Sequence, residues 1–162
     1  MRQKYCGEGF LIVVAIIAST VAVITFAAVS GAFAWNFSVP AQEVQPANGI
    51  FAFPAAAFQD GKAKYFQYSP SPNQKIRFFV VKSVDGVIRA AFDACEVCWR
   101  AKKGYVQQGN EMICVNCGLK FRTDKVNEVT GGCNPSALKR TVQDGKVVIT
   151  QQDVMSGLRY FQ

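Results

Sequence analysis

Four cysteines stand in two Cys-x-x-Cys pairs that are separated by fifteen residues. They are Cys95, Cys98, Cys114 and Cys117. Two residues between thiols allow one tight turn to present both sulfurs to a single ion, with backbone N–H groups directed at them. Two such turns that face each other make a tetrahedral sulfur site, which suits zinc, iron or an iron–sulfur cluster. The pairs therefore predict a metal centre with these four thiolates as ligands.

A fifth thiol, Cys133, lies in the stretch Thr130-Gly-Gly-Cys-Asn-Pro135, again fifteen residues beyond the previous pair. Two glycines before it and a proline after it predict a rigid loop that approaches other groups closely. Cys133 could belong to the cofactor site as an outer thiol that donates to sulfur, or as a ligand that replaces one of the four. It could equally be a free cysteine without a role at the site.

Disulfides are another use of four thiols, because an exported protein can be oxidised. A domain of this size with so many Phe and Val residues does not need such cross-links. A disulfide within one Cys-x-x-Cys pair is typical of redox-active sites. We therefore expect metal binding, and a thiol–disulfide redox protein remains an alternative.

The chain contains no histidine, which excludes imidazole bases, Ser-His triads, Cys2His2 zinc sites and Rieske-type imidazole ligation. It also contains no obvious nucleophile–base pair and no phosphate-binding glycine loop. A non-enzymatic electron-transfer or metal-binding subunit is therefore expected. Beside the thiols, Trp99 and Tyr105 are expected to pack against the sheet, and Asp93 and Glu96 are expected to be surface carboxylates.

The formal net charge of +7 suggests an anionic partner. Most basic residues are scattered singly, however, whereas a nucleic-acid surface usually carries a dense basic stripe. The clusters that do occur are Arg100-Lys102-Lys103 and Lys139-Arg140. We therefore expect no nucleic acid partner, and instead docking to an acidic protein or attraction to anionic lipid headgroups.

The segments around the thiols are predicted to form short β-strands. Residues 62–69 and 75–83 are rich in aromatic and β-branched residues and are separated by a Ser-Pro-Ser-Pro-Asn turn signal. Asp85-Gly86 and Asp144-Gly145 each stand between apolar runs, which is a strong hairpin signal. No segment after residue 40 shows a convincing helical period. The sequence predicts a mainly β, antiparallel domain with the cysteines on loops.

A membrane anchor is expected before this domain, over residues 10–35. The segment contains no charged side chain, and a spanning helix needs roughly 20 apolar residues. A secretory signal has an apolar core of only about 7–15 residues, although Ala32-Phe33-Ala34 would satisfy its cleavage rule. Length favours a retained anchor or an uncleaved signal.

Charge asymmetry predicts the orientation of the anchor. Arg2 and Lys4 precede the span, and the next basic residue is Lys62. The positive-inside rule places residues 1–9 in the cytoplasm. Residues 36–49, which contain two prolines and no periodicity, are expected to be a linker. Residues 50–162 are then an exported metal-binding domain of a single-pass cell-membrane protein.

The order of strands, ligand pairs and loops is similar to that of Rieske domains. The matching residues are Cys114-Val-Asn-Cys117-Gly118, Phe121, Gly131-Gly132-Cys133-Asn134-Pro135 and Leu138. Rieske ligand pairs contain histidine, whereas both pairs here contain only cysteine. The resemblance implies a small Rieske-like β-domain, and the all-cysteine ligands exclude a high-potential Rieske centre.

The stretch from Ala91 to Phe121, together with Gly131-Gly-Cys-Asn-Pro135, also resembles the membrane iron–sulfur FtrD-like family. This resemblance implies membrane attachment, an iron–sulfur cofactor and an association with iron-uptake systems that contain a permease. Its implied partner is a membrane redox or iron-permease protein. The expected function is electron transfer by a membrane-anchored iron–sulfur protein, and a structural zinc domain that mediates protein assembly is the alternative.

Overall fold

Residues 39–162 are the part of the chain that the computed structural model describes, and their structure is mainly β. The strands are β1 (Gln42–Glu43), β2 (Ile50–Pro54), β3 (Lys64–Ser71), β4 (Gln74–Lys82), β5 (Ile88–Phe92), β6 (Tyr105–Gln108), β7 (Glu111–Cys114), β8 (Lys120–Arg122), β9 (Thr141–Gln143) and β10 (Lys146–Thr150). One short α-helix, α1, spans Gln151–Met155. Short 3-10 helices cover Ala55–Phe58, Trp99–Ala101, Thr123–Lys125 and Leu158–Tyr160.

The predicted anchor, residues 10–35, lies outside the described residues. Among residues 39–162, no helix has the length and apolar character that crossing a membrane requires.

The strands form three sheets. The central sheet has the order β1-β3-β4-β5, the outer sheet β2-β10-β9, and the site sheet β6-β7-β8. The short β1 pairs with β3 in parallel, and every other strand pair is antiparallel. The prediction of a mainly β domain with antiparallel pairing is therefore confirmed.

Both Asp-Gly dipeptides lie in turns between paired strands, as predicted. Asp85-Gly86 separates β4 from β5, and Asp144-Gly145 separates β9 from β10. In the second turn both residues have positive φ, 51° for Asp144 and 70° for Gly145. This is the backbone of a two-residue type I′ hairpin, whose twist matches that of the flanking strands. The sequence therefore predicted the pairing of these neighbouring strands.

The central sheet is buried on both faces, because the side chains of β4 alternate between two cores. Phe78 and Val80 belong to the core shared with the outer sheet, where the ring centroids of Phe53 and Phe66 are 4.3 Å apart. Phe79 belongs to a second core, on the side of the site sheet. The central sheet is thus the middle of three layers.

The second core contains two of the predicted ligands. Cys95 and Cys114 are buried with Tyr105 and Met112 of the site sheet and with Val126 of the loop that follows it. Two thiols of the predicted metal centre therefore lie inside the packed interface between the central sheet and the site sheet.

The segment 36–49, expected to be a linker, contributes the edge of the central sheet. Gln42 and Glu43 pair with Phe66 and Gln67 of β3. Closer to the site, Arg77 donates a hydrogen bond from Nη2 to the Val39 carbonyl at 2.7 Å. These contacts join residues 39–44 to the β-domain.

Candidate metal centre

The first thiol loop follows β5. The Cys98 N–H donates to Cys95 Sγ at 3.1 Å, which is the N–H···S bond that a Cys-x-x-Cys turn was expected to form. A 3-10 turn then follows, in which the Ala101 N–H donates to the Cys98 carbonyl at 3.0 Å. The chain thus turns sharply just after Cys98, and the Sγ atoms of Cys95 and Cys98 lie within 4.8 Å of each other.

The second thiol loop begins at Cys114, the last residue of β7. The Gly118 N–H donates to the Cys114 carbonyl at 2.8 Å, and the Cys114 N–H donates to the Leu119 carbonyl at 3.0 Å. Gly118 has a φ of 74°, a conformation that glycine adopts without strain. Backbone N–H groups also donate to the sulfurs, from Asn116 and Cys117 to Cys114 and from Leu119 to Cys117.

The two loops meet because the strands that carry them pair. Tyr105, which follows the first loop, pairs with Cys114, and the Val115 N–H donates to the Gly104 carbonyl at 3.0 Å. The Sγ atoms of Cys95, Cys98 and Cys114 consequently lie within 4.8 Å of one another. The structure therefore brings both predicted pairs to one end of the site sheet.

Cys133 lies on a third loop, which follows the site sheet in the chain. Its Sγ is 3.7 Å from Cys98 Sγ, and the Sγ atoms of Cys98, Cys117 and Cys133 all lie within 4.8 Å of one another. Cys98 is thus common to two groups of three thiols. Of the alternatives for Cys133, the structure places the thiol within the site, in contact with a predicted ligand. A disulfide is absent among these five cysteines.

Solvent access divides the five thiols. Cys95 and Cys114 are 1% and 2% exposed, Cys98 and Cys133 are half-buried, and Cys117 is exposed. The centre therefore has an inner side within the second core and an outer side that solvent or a partner can reach.

The pKa values of three of the thiols depart from the ordinary value. Burial raises the pKa of the Cys114 thiol to about 12 and also raises the pKa of Cys133 above its ordinary value. The Leu119 N–H lowers the pKa of Cys117. Because a metal binds thiolates, binding at Cys114 or Cys133 must release a proton.

Asp93 is not the surface carboxylate that the sequence predicted. It is 7% exposed, its Oδ2 lies 3.2 Å from Arg77 Nε, and its Oδ1 accepts the Tyr105 N–H at 2.7 Å. Burial raises the pKa of this carboxyl to about 6, against the opposing effects of Arg77 and the Tyr105 N–H. Glu96 is exposed as expected and pairs with Arg159 at 3.0 Å.

Tyr105 combines packing with a polar contact. Its ring packs against Phe79 and Phe121, with centroids 6.4 Å away in both cases. Its hydroxyl donates to the Cys133 carbonyl at 2.6 Å and also lies in hydrogen-bond contact with Cys95. The predicted packing role is thus accompanied by a link between the first and third thiol loops, which the sequence did not indicate.

Exposed apolar and basic residues stand on the two thiol loops or directly after the first of them. Val97 and Leu119, one on each thiol loop, are 64% and 54% exposed. Lys102 and Lys103 are exposed, and the exposed Arg100 guanidinium lies 5.1 Å from the Trp99 ring centroid. We call Val97, Leu119 and the basic residues Arg100, Lys102 and Lys103 the outer rim.

The donor set fits a thiolate-bound metal or cluster. Five sulfurs converge, three of which, those of Cys95, Cys114 and Cys117, accept backbone N–H groups, and the neighbouring carboxylate of Asp93 is engaged by Arg77. Soft sulfur donors select zinc, iron and iron–sulfur clusters rather than magnesium or calcium. Four of the five thiols complete such a site.

The family of the chain follows from a comparison of its sequence with protein-family models. Residues 58–161 match the model described as "Membrane iron-sulfur containing protein FtrD-like". The match includes all five thiols of the centre. The chain belongs to the FtrD-like family. The resemblance drawn from the cysteine pattern is thereby confirmed, and the family is one of membrane-associated iron–sulfur proteins.

Comparisons with other proteins add little to this assignment. Among curated proteins, no significant match is found. Among solved structures, the chain is similar to the quaternary ammonium Rieske monooxygenase CntA, crystallised with an inhibitor, at 15% identity and a TM-score of 0.41. The likeness covers 64% of this FtrD-like chain and 31% of the monooxygenase chain.

Proposed function

We propose that this FtrD-like protein is a membrane-anchored electron-transfer protein that holds an iron–sulfur cluster through Cys95, Cys98, Cys114 and Cys117. The observation that carries the proposal is the convergence of these thiols across two N–H···S-bonded loops, with Cys117 exposed at the outer side. Membership of an iron–sulfur family supports iron over other thiophilic metals. The protein acts as a subunit of a redox system rather than as an enzyme.

The thiols, the backbone N–H groups and the outer rim have different roles in this proposal. When bound, the cluster supplies one-electron chemistry at a low potential, since thiolates replace the two imidazoles of a Rieske centre. Cys95 and Cys114 would hold the cluster from the second core, where their burial excludes water. The N–H···S bonds orient the thiolates and partly balance their negative charge. Cys117 and the outer rim provide the side at which electrons enter or leave.

A Rieske-like frame is the architecture that we propose for this domain. Its support is the presence of two ligand loops that each supply a buried and a more exposed ligand, with a third, glycine-rich loop beside them. The thiols of all three loops converge, and together they could bind one cluster.

We further propose that residues 10–35 anchor this domain in the membrane and that residues 1–9, which precede the anchor, lie in the cytoplasm. Residues 50–162 would then lie outside the cytoplasm of the cell. The supports are the uncharged length of the segment and the basic residues before it. Protease treatment of sealed, inside-out vesicles tests the orientation. Protection of the β-domain is expected, and its digestion would contradict the proposal.

The partner that suits the outer rim is an acidic face of a membrane redox protein, such as a component of an iron-permease system. Arg100, Lys102 and Lys103 supply exposed positive charge directly after the first thiol loop, and Cys117 is the exposed thiol of the second loop. Val97 and Leu119 supply apolar surface, which a docking partner buries. Complementary charge increases the rate of encounter and orients the partner toward the cluster.

One experiment tests the proposed cofactor. The full chain is purified in detergent without oxygen, and iron, zinc and acid-labile sulfide are measured together with an electron paramagnetic resonance spectrum of the reduced protein. We expect iron and sulfide in equal amounts and a signal that appears on one-electron reduction. A colourless protein that contains zinc without sulfide would overturn the electron-transfer proposal in favour of a structural zinc domain.

A further inference from the structure

The centre contains more thiols than one cluster or one tetrahedral ion needs. Five cysteines converge, whereas a two-iron cluster or a zinc ion takes four thiolates from the protein. One thiol is therefore in excess. The question is which of the five is dispensable, and what its presence does.

Three of the thiols occupy positions that no other can take over. Cys95 and Cys114 are buried in the second core, and Cys98 belongs to both groups of neighbouring sulfurs. Removing any one of them leaves a gap on the inner side or between the two groups. The excess must lie on the outer side, with Cys117 and Cys133.

Cys117 and Cys133 reach the same place from different loops. Both have Sγ within 4.8 Å of Cys98 Sγ and of each other. Cys117 is exposed at the tip of the second thiol loop, whereas Cys133 is half-buried. We propose that these two thiols are alternative ligands for one coordination position, and that either completes the set of Cys95, Cys98 and Cys114.

The third loop is fixed in place at the site. The Ser136 N–H donates to the Ala94 carbonyl at 2.9 Å, and the Phe92 N–H donates to the Ser136 carbonyl at 2.8 Å, which attaches the segment after Cys133 to the end of β5. The Tyr105 hydroxyl holds the Cys133 carbonyl at 2.6 Å. The backbone that carries Cys133 is thus held at two points, and its Sγ lies 3.7 Å from Cys98 Sγ.

An alternative ligand has a chemical use at this position. Cys117 is the most exposed of the five thiols, and exposed thiolates are the ones that oxidants modify first. When Cys117 is modified or displaced by a docking partner, Cys133 keeps the fourth position filled. This inference rests on the proposed thiolate centre, but it holds for a zinc ion as well as for an iron–sulfur cluster.

The test compares Cys117→Ala, Cys133→Ala and the double variant in the full chain, purified in detergent without oxygen. Alanine is used because a serine oxygen can itself bind a metal. Iron, zinc and sulfide per chain are measured, with circular dichroism to establish that each variant is folded. We expect each single variant to keep most of the metal and the folded double variant to lose it. Cys95→Ala and Cys114→Ala serve as references that lose it.

Each contrary result has a definite meaning. Loss of metal from a folded Cys117→Ala or Cys133→Ala variant would show that the thiol is obligatory, and retention by the double variant would show that neither is a ligand. Either outcome overturns the exchange. If the wild-type protein holds zinc, the proposed electron transfer fails, and the pattern of zinc content across the same variants still decides the exchange.

Discussion

At the scale of single residues, the Arg77–Asp93 ion pair lies directly beneath the first thiol loop, with Asp93 two residues before Cys95. The carboxylate also accepts the Tyr105 N–H from the site sheet. One buried acid therefore joins β4, the first thiol loop and β6. Such a pair adds little net stability relative to apolar packing, but removing one partner leaves the other uncompensated.

Arg77→Ala should therefore be strongly destabilising. Loss of the guanidinium leaves Asp93 buried without its cation, and we expect a decrease of about 3–5 kcal/mol in the free energy of unfolding, measured by urea denaturation. The matched control is Arg122→Ala, because the Arg122–Asp124 pair, at 2.6 Å, includes a side chain that is 65% exposed. The control should cost about 0–1 kcal/mol. Equal effects of the two substitutions would contradict a structural role for the buried pair.

At the scale of elements, the connection between the first thiol loop and β6 depends on a close approach at Gly104. Its φ is +65°, and a Cβ built at this position would overlap the Asp93 carboxylate. The site sheet can thus begin beside the ion pair only if residue 104 has no side chain.

Gly104→Ala should destabilise the domain through two effects, backbone strain and the overlap with Asp93. Gly109→Ala is the matched control, because Gly109 has a φ of +56° and its added Cβ would meet nothing within 4 Å. Strain alone costs about 1–2 kcal/mol in each variant. We expect a larger loss for Gly104→Ala in urea denaturation, together with weaker metal retention. A loss no greater than that of the control would show that the close approach is unimportant.

The connection between β4 and β5 is stabilised by Arg89, a buried residue of β5. The buried Arg89 donates to Asp85 Oδ1 at 2.8 Å and also to the Ser83 hydroxyl. The hydrogen bond from Arg89 holds the pKa of Asp85 below its ordinary value. Asp85 therefore keeps its charge to lower pH in the folded chain than in the unfolded chain.

This lowered pKa gives a stability contribution that depends on pH. It is present above the ordinary aspartate pKa, about 4, and is lost as the pH falls below that value. Asp85→Asn should be less stable than the wild type at neutral pH, and the difference should shrink as the pH approaches 3 in thermal unfolding experiments. A difference that is constant over this range would contradict the assignment to Asp85.

At the scale of the whole molecule, the three layers give the domain two chemically different ends. The outer sheet lies on one side of the central sheet, and the site sheet with its thiols lies on the other. The outer rim includes the exposed positive charges of Arg100, Lys102 and Lys103, which directly follow the first thiol loop. Electron exchange at this rim should therefore be faster with anionic than with cationic partners.

Small redox ions measure this preference without a known partner. Reoxidation of the reduced protein is followed with anionic ferricyanide and with cationic hexaammineruthenium(III) at low ionic strength. Lys102→Glu should lower the rate with ferricyanide and raise the rate with the cation, and added salt should diminish both changes. Lys146→Glu is the control, because Lys146 is an exposed residue of the outer sheet. Equal effects of the two substitutions would contradict electron exchange at the outer rim.

The sequence by itself determined the features that depend on neighbouring residues. The Cys-x-x-Cys spacing predicted two sulfur-presenting turns, and the Asp-Gly dipeptides predicted two hairpins. Runs rich in aromatic and β-branched residues, bounded by a turn signal, predicted strands such as β3 and β4. These features were predictable because turn chemistry and the two-residue period of a strand act over a few residues. The five-cysteine pattern also identified the FtrD-like family.

Only the tertiary structure decided which distant residues meet. Asp93 pairs with Arg77 on a neighbouring strand, and Cys133 contacts Cys98 although 35 positions separate them. Sequence patterns did not establish either contact. Each contact depends on how the site sheet and the third loop pack against the central sheet. Packing likewise divided the thiols into a buried inner pair and an exposed outer side. The local sequence forms the loops that carry the thiols, and long-range packing brings the thiols together.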